Sequence, residues 1–155
     1  MISVVLIASE DLPGLAAQMA MLVPAAVDGL VKEVVLVAGD EPGVAVLAED
    51  SGARLVRVEG DTADRLAAGA AAARGDWILT LRAAPVLREG WREPVERHLA
   101  GGAGGAASLV APSGLLGRLA SKMHGVLLRR LDWPAAGALD EKALAKALKA
   151  KAIRY

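Results

Sequence analysis

Apolar residues in the first hundred positions fall into short unbroken runs separated by stretches of helical spacing. Ile2-Ser3-Val4-Val5-Leu6-Ile7-Ala8 is β-branched and apolar on both faces, the pattern of a buried parallel strand. Glu10-Asp11-Leu12-Pro13-Gly14 ends it, with Asp11 placed to cap a helix and Pro13 suited to its first turn. Leu15, Met19, Leu22 and Val23 recur at helical spacing, and the spacing predicts a helix that stops before Pro24. Glu33 to Ala38 reads as a second buried strand, closed by Gly39-Asp40-Glu41-Pro42. A short helix over 44–50 and an alternating strand over 54–58 follow. Asp61 or Thr62 caps an alanine-rich helix over 63–74, whose small residues Gly69, Ala70 and Ala73 let it lie close on a sheet. Further strands are expected over 77–81 and 107–111, with a helix over 90–99 between them. Strand alternating with helix predicts an α/β fold of three layers around a mostly parallel sheet.

The tail changes character. From Ser113 the residues Leu115, Leu116, Leu119, Met123, Val126 and Leu127 fall on one side of a helical wheel, flanked by Arg118, Lys122, Arg129 and Arg130. The pattern predicts a helix over 113–130, a break at Trp133-Pro134, and a last helix capped by Asp140 that carries Lys142, Lys146, Lys149 and Lys151. The chain then divides into a core of residues 1–111 and a basic helical extension, 112–155, packed on the same domain.

Composition narrows the chemistry. The 155 residues include no cysteine and two histidines, which removes thiolate metal sites, cysteine nucleophiles and histidine-rich metal sites. Hydrophobic residues make up 54%, but alanine contributes 33 of them, and no apolar run approaches the ~20 residues of a membrane span. The start lacks the basic region and cleavage site of a signal peptide, so a soluble cytoplasmic protein is expected. A formal net charge of zero hides a split. Residues 1–100 carry 9 Lys/Arg against 15 Asp/Glu, and residues 101–155 carry 9 against 3. The basic tail, residues 113–151, therefore suits an anionic membrane surface or an acidic protein partner, which would make the chain peripheral at the membrane. Nucleic acid is excluded as a partner because aromatic side chains for base stacking are scarce.

In an open parallel sheet, ligands bind beyond the carboxyl ends of the strands. The residues there are Ala8, Ser9 and Glu10 after the first strand, Ala38 and Asp40 after the second, and Arg82 after the strand ending at Leu81. Arg65 stands on the helix that follows the third strand. Glu10 and Asp40 suit a ribose hydroxyl or a cation, and Arg65 and Arg82 suit a phosphate. No GxGxxG follows the first strand, Gly101-Gly102-Ala103-Gly104-Gly105 lacks a phosphate-loop lysine, and Ser9 has no elbow glycines. His124 reads as an exposed helical histidine with no carboxylate nearby.

These strand ends resemble family 2 glycosyltransferases, whose nucleotide-sugar domain has the Rossmann-like GT-A fold. The similar segments are Ile2 to Leu6, Glu33 to Asp40, Gly52 to Val56 with Gly69 to Trp77, and Pro85 to Trp91; the helix over Leu115–Leu119 is similar to an acceptor-side segment. The resemblance implies a nucleotide diphosphate sugar as ligand at Ala8, Ser9, Glu10, Ala38, Asp40, Arg65 and Arg82. The departures are specific. The nucleoside-holding aspartate falls on Ala38, an expected asparagine falls on Ala67, and the metal-binding Asp-x-Asp element falls on Arg82-Ala83-Ala84. The later acidic motif that supplies the catalytic base has no counterpart. No metal, no cofactor and no catalytic residue is therefore expected. The chain reads as a degenerate member, binding a nucleotide sugar or serving as a scaffold. The alternatives are an active, metal-independent transferase using Arg82 at the diphosphate, and an interaction protein docking through its basic tail.

Overall fold

The computed structural model describes residues 1–102, 104–112, 121–135 and 138–155; the side chains of Pro112 and Ser121 fall outside this description. The chain runs β1 (Ile2–Ile7), α1 (Leu12–Val27), β2 (Val31–Ala38), α2 (Val44–Ser51), β3 (Arg54–Arg57), α3 (Thr62–Ala72), β4 (Trp77–Arg82), α4 (Arg92–Ala100), β5 (Ala107–Pro112), β6 (Ser121–Arg129), a 3-10 turn (Arg130–Asp132), α5 (Glu141–Ala147) and β7 (Lys151–Arg154). The strands form one sheet in the order β3-β2-β1-β4-β6-β5-β7. β1 pairs in parallel with β2 and β4, β2 with β3, and β5 with β7, while β6 runs antiparallel to both of its neighbours. The expected α/β fold with a mostly parallel sheet is therefore observed.

Alternation along β1 divides the core. Ile2, Val4 and Leu6 face α1, α2 and α4 through Leu15, Leu22, Val44 and Val95. Val5 and Ile7 face the other way, against Leu66 and Ala70 of α3 and Leu144 of α5. α3 lies close to the sheet because Gly69 has no side chain: a Cβ there would come within 2.3 Å of Val5 Cγ1 and 2.9 Å of Val37 Cγ2. Asp11 caps α1, its Oδ1 accepting from the Gly14 amide at 2.9 Å. Asp61 caps α3 in a reciprocal capping box with Asp64, and Asp140 caps α5. Among the described residues no helix is long and apolar enough to cross a membrane.

Three expectations are corrected. α1 continues through Pro24 to Val27, because its buried stripe of Leu15, Met19, Leu22 and Ala25 extends past the proline and packing outweighs the local penalty. Residues 121–129 form strand β6 instead of the second half of a helix. Val126, Leu127 and Leu128 are consecutive and all fully buried, which a strand covered on both faces accommodates and an amphipathic helix does not. The first half of that helix, 113–120, with Arg118 and Leu115 to Leu119, lies outside the described residues. The surface-docking helix expected for a membrane or acidic partner is thus absent over 121–129. Finally, α5 ends at Ala147, and Lys151 belongs to β7, a strand the lysine spacing did not suggest.

Candidate functional site

The carboxyl ends of β1, β2 and β4 lie side by side, with Ile7 in register with both Val37 and Arg82. Because β6 is antiparallel, its beginning, Lys122 to His124, reaches the same edge. α5 brings Asp140 and Glu141 there from the end of the chain.

Arg82 is the centre of this edge. Its Nε donates to Glu141 Oε2, joining residues 59 apart in sequence. The partners differ in exposure: the Arg82 side chain is 44% exposed, whereas that of Glu141 is 6% exposed. Glu141 Oε1 is buried and has no hydrogen-bond partner among the described residues. Burial pushes the Glu141 carboxyl above its ordinary range, the Arg82 charge and the hydrogen bonds of Arg82 and the Thr80 hydroxyl offset this only in part, and the neighbouring Asp140 adds to the rise.

A cavity of about 450 Å³ opens beside this pair, lined by Arg82, Lys122, His124, Asp140, Glu141 and Lys142 among others. A second, of about 510 Å³, lies against Arg82, Asp61, Thr62 and Asp140. His124 enters the first cavity through a β-bulge. The β5–β6 register steps from Leu109–Gly125 to Val110–Met123 and leaves His124 as the extra residue. Only 4% exposed, His124 is not the exposed histidine its surroundings in sequence suggest. Its Nδ1 lies 2.8 Å from the Tyr155 hydroxyl. Burial lowers the His124 pKa, and the charges of Arg88 and Lys122 lower it further, so the ring is neutral at pH 7. Burial pushes the Tyr155 phenol up to about 12, against the opposing pull of the Arg88 backbone and charge, so it keeps its proton. A protonated phenol facing a neutral ring donates to Nδ1, which leaves the proton of His124 on Nε2.

Of the seven residues expected from sequence to bind a ligand, only Arg82 lines either cavity. Ala8 and Ala38 are buried at their strand ends, where the Ala8 amide donates to Val37 O at 2.8 Å and Ala38 O accepts from Val58 N at 2.9 Å. Ser9 Oγ accepts from the Asp11 amide at 3.3 Å, and Glu10 and Asp40 stand exposed. Arg65 reaches back to the turn after β2, with Nη1 2.5 Å from Glu41 Oε1. For Glu41 burial raises the pKa, but hydrogen bonding and the charge of Arg65 outweigh it, and the carboxyl sits below its ordinary range. Both arginines are thus held by carboxylates. Glu141, Lys122, His124 and Tyr155 escape a reading of strand ends, because none follows a parallel strand in sequence. The one available signal is the acidic pair Asp140-Glu141 in an otherwise basic tail.

A divalent cation needs several hard oxygen ligands converging on one point. Arg82-Ala83-Ala84 supplies a cation and two methyl groups, and among the described residues no group of three or more His, Asp or Glu side chains could hold a metal. The residues at the end of β4 do not fit one.

No protein-family model and no curated protein sequence matches the chain. Solved structures do. Glucosyl-3-phosphoglycerate synthase from Mycobacterium tuberculosis matches with a TM-score of 0.72 at 19% identity, over 99% of this chain and 70% of that one. Its complex with Mn2+, uridine-diphosphate-glucose and phosphoglyceric acid matches with a TM-score of 0.72 at 20% identity, over 99% and 69%. Its complex with Mn2+, uridine-diphosphate and phosphoglyceric acid gives 0.67 at 20% identity, over 84% and 56%, so this chain spans little more than half of that protein. The likeness establishes a shared architecture: this chain has the Rossmann-like GT-A fold of those glycosyltransferases.

Proposed function

We propose that this chain is a degenerate GT-A domain that binds a nucleotide diphosphate sugar along the carboxyl edge of its sheet without metal-dependent transfer. One observation carries the reading. At the end of β4, where the resemblance expects metal-binding carboxylates, stands Arg82, held by a buried glutamate. A guanidinium matches phosphate oxygens in shape and charge, so it can do part of what a cation does for a diphosphate. The solved neighbours bind uridine-diphosphate with Mn2+ or Mg2+, which supports the ligand class and sets the contrast.

A second reading, metal-independent transfer, is favoured by Glu141. A buried carboxylate with a bare oxygen and a raised pKa is suited to take a proton from an acceptor hydroxyl. Turnover of UDP-glucose that is lost in Glu141→Gln would establish it.

The binding reading is tested by thermal shift with UDP, GDP and their sugars, with and without manganese. At ligand concentrations near a hundred times Kd, stabilisation by about 2.7 kcal/mol is expected, a rise of roughly 5–10 °C for a chain of this size. The rise is expected in EDTA as well as in manganese. A shift that appears only with manganese overturns the metal-independent reading, and no shift with any nucleotide leaves only a scaffold.

A further inference from the structure

Arg82 and Glu141 are unequal partners. Arg82 reaches solvent, whereas Glu141 is buried, with Oε2 on Arg82, the Thr80 hydroxyl beside the carboxyl, and Oε1 without a partner among the described residues. Around them Lys122, on β6, and Lys142, on α5, add two exposed cations to the cavity wall, and Asp140 adds one carboxylate. His124 adds a neutral ring with its proton on Nε2. Among the described residues of the cavity wall Glu141 is therefore the one buried anion, beside Arg82, Lys122 and Lys142.

We propose that this cavity is a phosphoryl-binding site closed from within, in which Glu141 occupies the Arg82 guanidinium until a phosphoryl anion displaces it. Lys122 and Lys142 draw the anion in, Arg82 exchanges a carboxylate for a phosphate oxygen, and Glu141 is left buried without its cation. A buried carboxylate in that position takes up a proton. Binding is thus coupled to protonation of one residue. The charged and titratable groups around Glu141 are Arg82 on β4, Lys122 and His124 on β6, and Asp140 and Lys142 beside it in sequence; the Thr80 hydroxyl is nearby on β4. Burial and the charges of Arg88 and Lys122 lower the His124 pKa, whereas burial raises that of Glu141. The inference deepens the nucleotide reading by naming its phosphoryl contact, and rests on that reading only for the nucleoside.

The test is calorimetric titration of the full chain with pyrophosphate, UDP and uridine, comparing wild type with Glu141→Gln and Lys122→Ala. Glu141→Gln is expected to bind pyrophosphate about tenfold more tightly, the effect of relieving one competing charge-assisted hydrogen bond. Lys122→Ala is expected to bind it several-fold more weakly. Titrations in buffers of different ionisation enthalpy should show wild type taking up more protons than Glu141→Gln on binding. In wild type alone, pyrophosphate should shift the NMR signal of Arg82 Nε–H, a readout that does not depend on any variant folding. Equal pyrophosphate affinity in wild type and Glu141→Gln, an unmoved Arg82 signal, or no pyrophosphate binding overturns the site. If UDP still binds in those cases, the nucleotide reading survives without it. Pyrophosphate binding that follows the expected pattern, with no further gain for UDP, supports the site and removes the nucleotide reading.

Discussion

Glu33 lies at the edge where the parallel strands begin, and Glu141 at the edge where they end. Both are largely buried glutamates facing an arginine, yet their surroundings are opposite. Glu33 Oε1 accepts from the Ser3 hydroxyl and the Arg74 amide, each at 2.7 Å, and Oε2 lies 3.2 Å from Arg54. Ser3 Oγ in turn accepts from the Gly75 amide at 2.7 Å. Burial raises the Glu33 pKa, but the Ser3 hydroxyl, the Arg74 amide and the Arg54 charge outweigh it, and the carboxyl sits below its ordinary range. Glu141 meets Arg82 and the Thr80 hydroxyl, burial outweighs both, and its carboxyl sits above that range. The Glu33 network ties the start of β2 to the turn that leads into β4, and the Glu141–Arg82 pair stands beside a cavity at the far end of the same strand. The same pairing of a buried glutamate with an arginine thus carries a lowered pKa where donors converge on the carboxylate and a raised one where burial outweighs them.

The most severe way to break the contrast is to fill the close approach at either end. A Cβ on Gly125 would lie 1.8 Å from Thr80 O, a backbone atom with no freedom to yield. Gly125→Ala should therefore part β6 from β4 and destabilise by more than about 3 kcal/mol. At the opposite edge a Cβ on Gly75 would lie 2.7 Å from Ser3 N and 2.8 Å from Met1 O, near the chain start. Gly75→Ala should cost about 1–3 kcal/mol. Urea unfolding ranks the two, and a Gly125→Ala protein within 1 kcal/mol of wild type would contradict the tight β4–β6 seam.

A milder break is Glu33→Gln, which removes the charge that organises Ser3, Arg74 and Arg54. The expected loss at pH 7 is about 1–3 kcal/mol. Because the folded pKa of Glu33 is depressed, its contribution is present above the ordinary carboxylate pKa and is lost as pH falls through the folded value. The gap between wild type and Glu33→Gln should accordingly close on acidification. A gap that is constant from pH 7 to pH 3 would mean that the network does not depend on the charge.

The two ends were unequally legible in the sequence. β1, β2 and β4 are short apolar runs with both faces covered, and the aspartates before α1, α3 and α5 are local capping signals, so these elements follow from neighbouring residues. Arg82 was legible for the same reason, since it follows a strand. Its partner was not: Glu141 arrives from 59 residues away, and nothing local links the two. β6 was misread because Met123, Val126 and Leu127 also fit a helical stripe. Its strand conformation is decided by β4 and β5, which offer it backbone partners on both sides. The bulge that turns His124 into the cavity is a register event between two strands, invisible to periodicity within one.

The smallest effect is the sharpest test of the contrast. Glu141→Gln removes a buried charge whose cationic partner, Arg82, is 44% exposed and regains water when released. Breaking a buried pair is severe when it strands a charge inside the protein. Here the charge left behind can hydrate, and the carboxylate removed was itself poorly solvated. The variant should therefore lie within about 1 kcal/mol of wild type at pH 7. The pH dependence carries the sign. The folded pKa of Glu141 is raised above its ordinary value of 4.5, so its contribution to stability is fully present below that value and is lost as pH rises through the folded pKa. On acidification wild type should gain on Glu141→Gln while it loses its advantage over Glu33→Gln. Denaturant unfolding of the three proteins between pH 3 and pH 8 measures both trends together. Trends of the same direction would show that the two carboxylates are alike, and Glu141 would then be a structural residue.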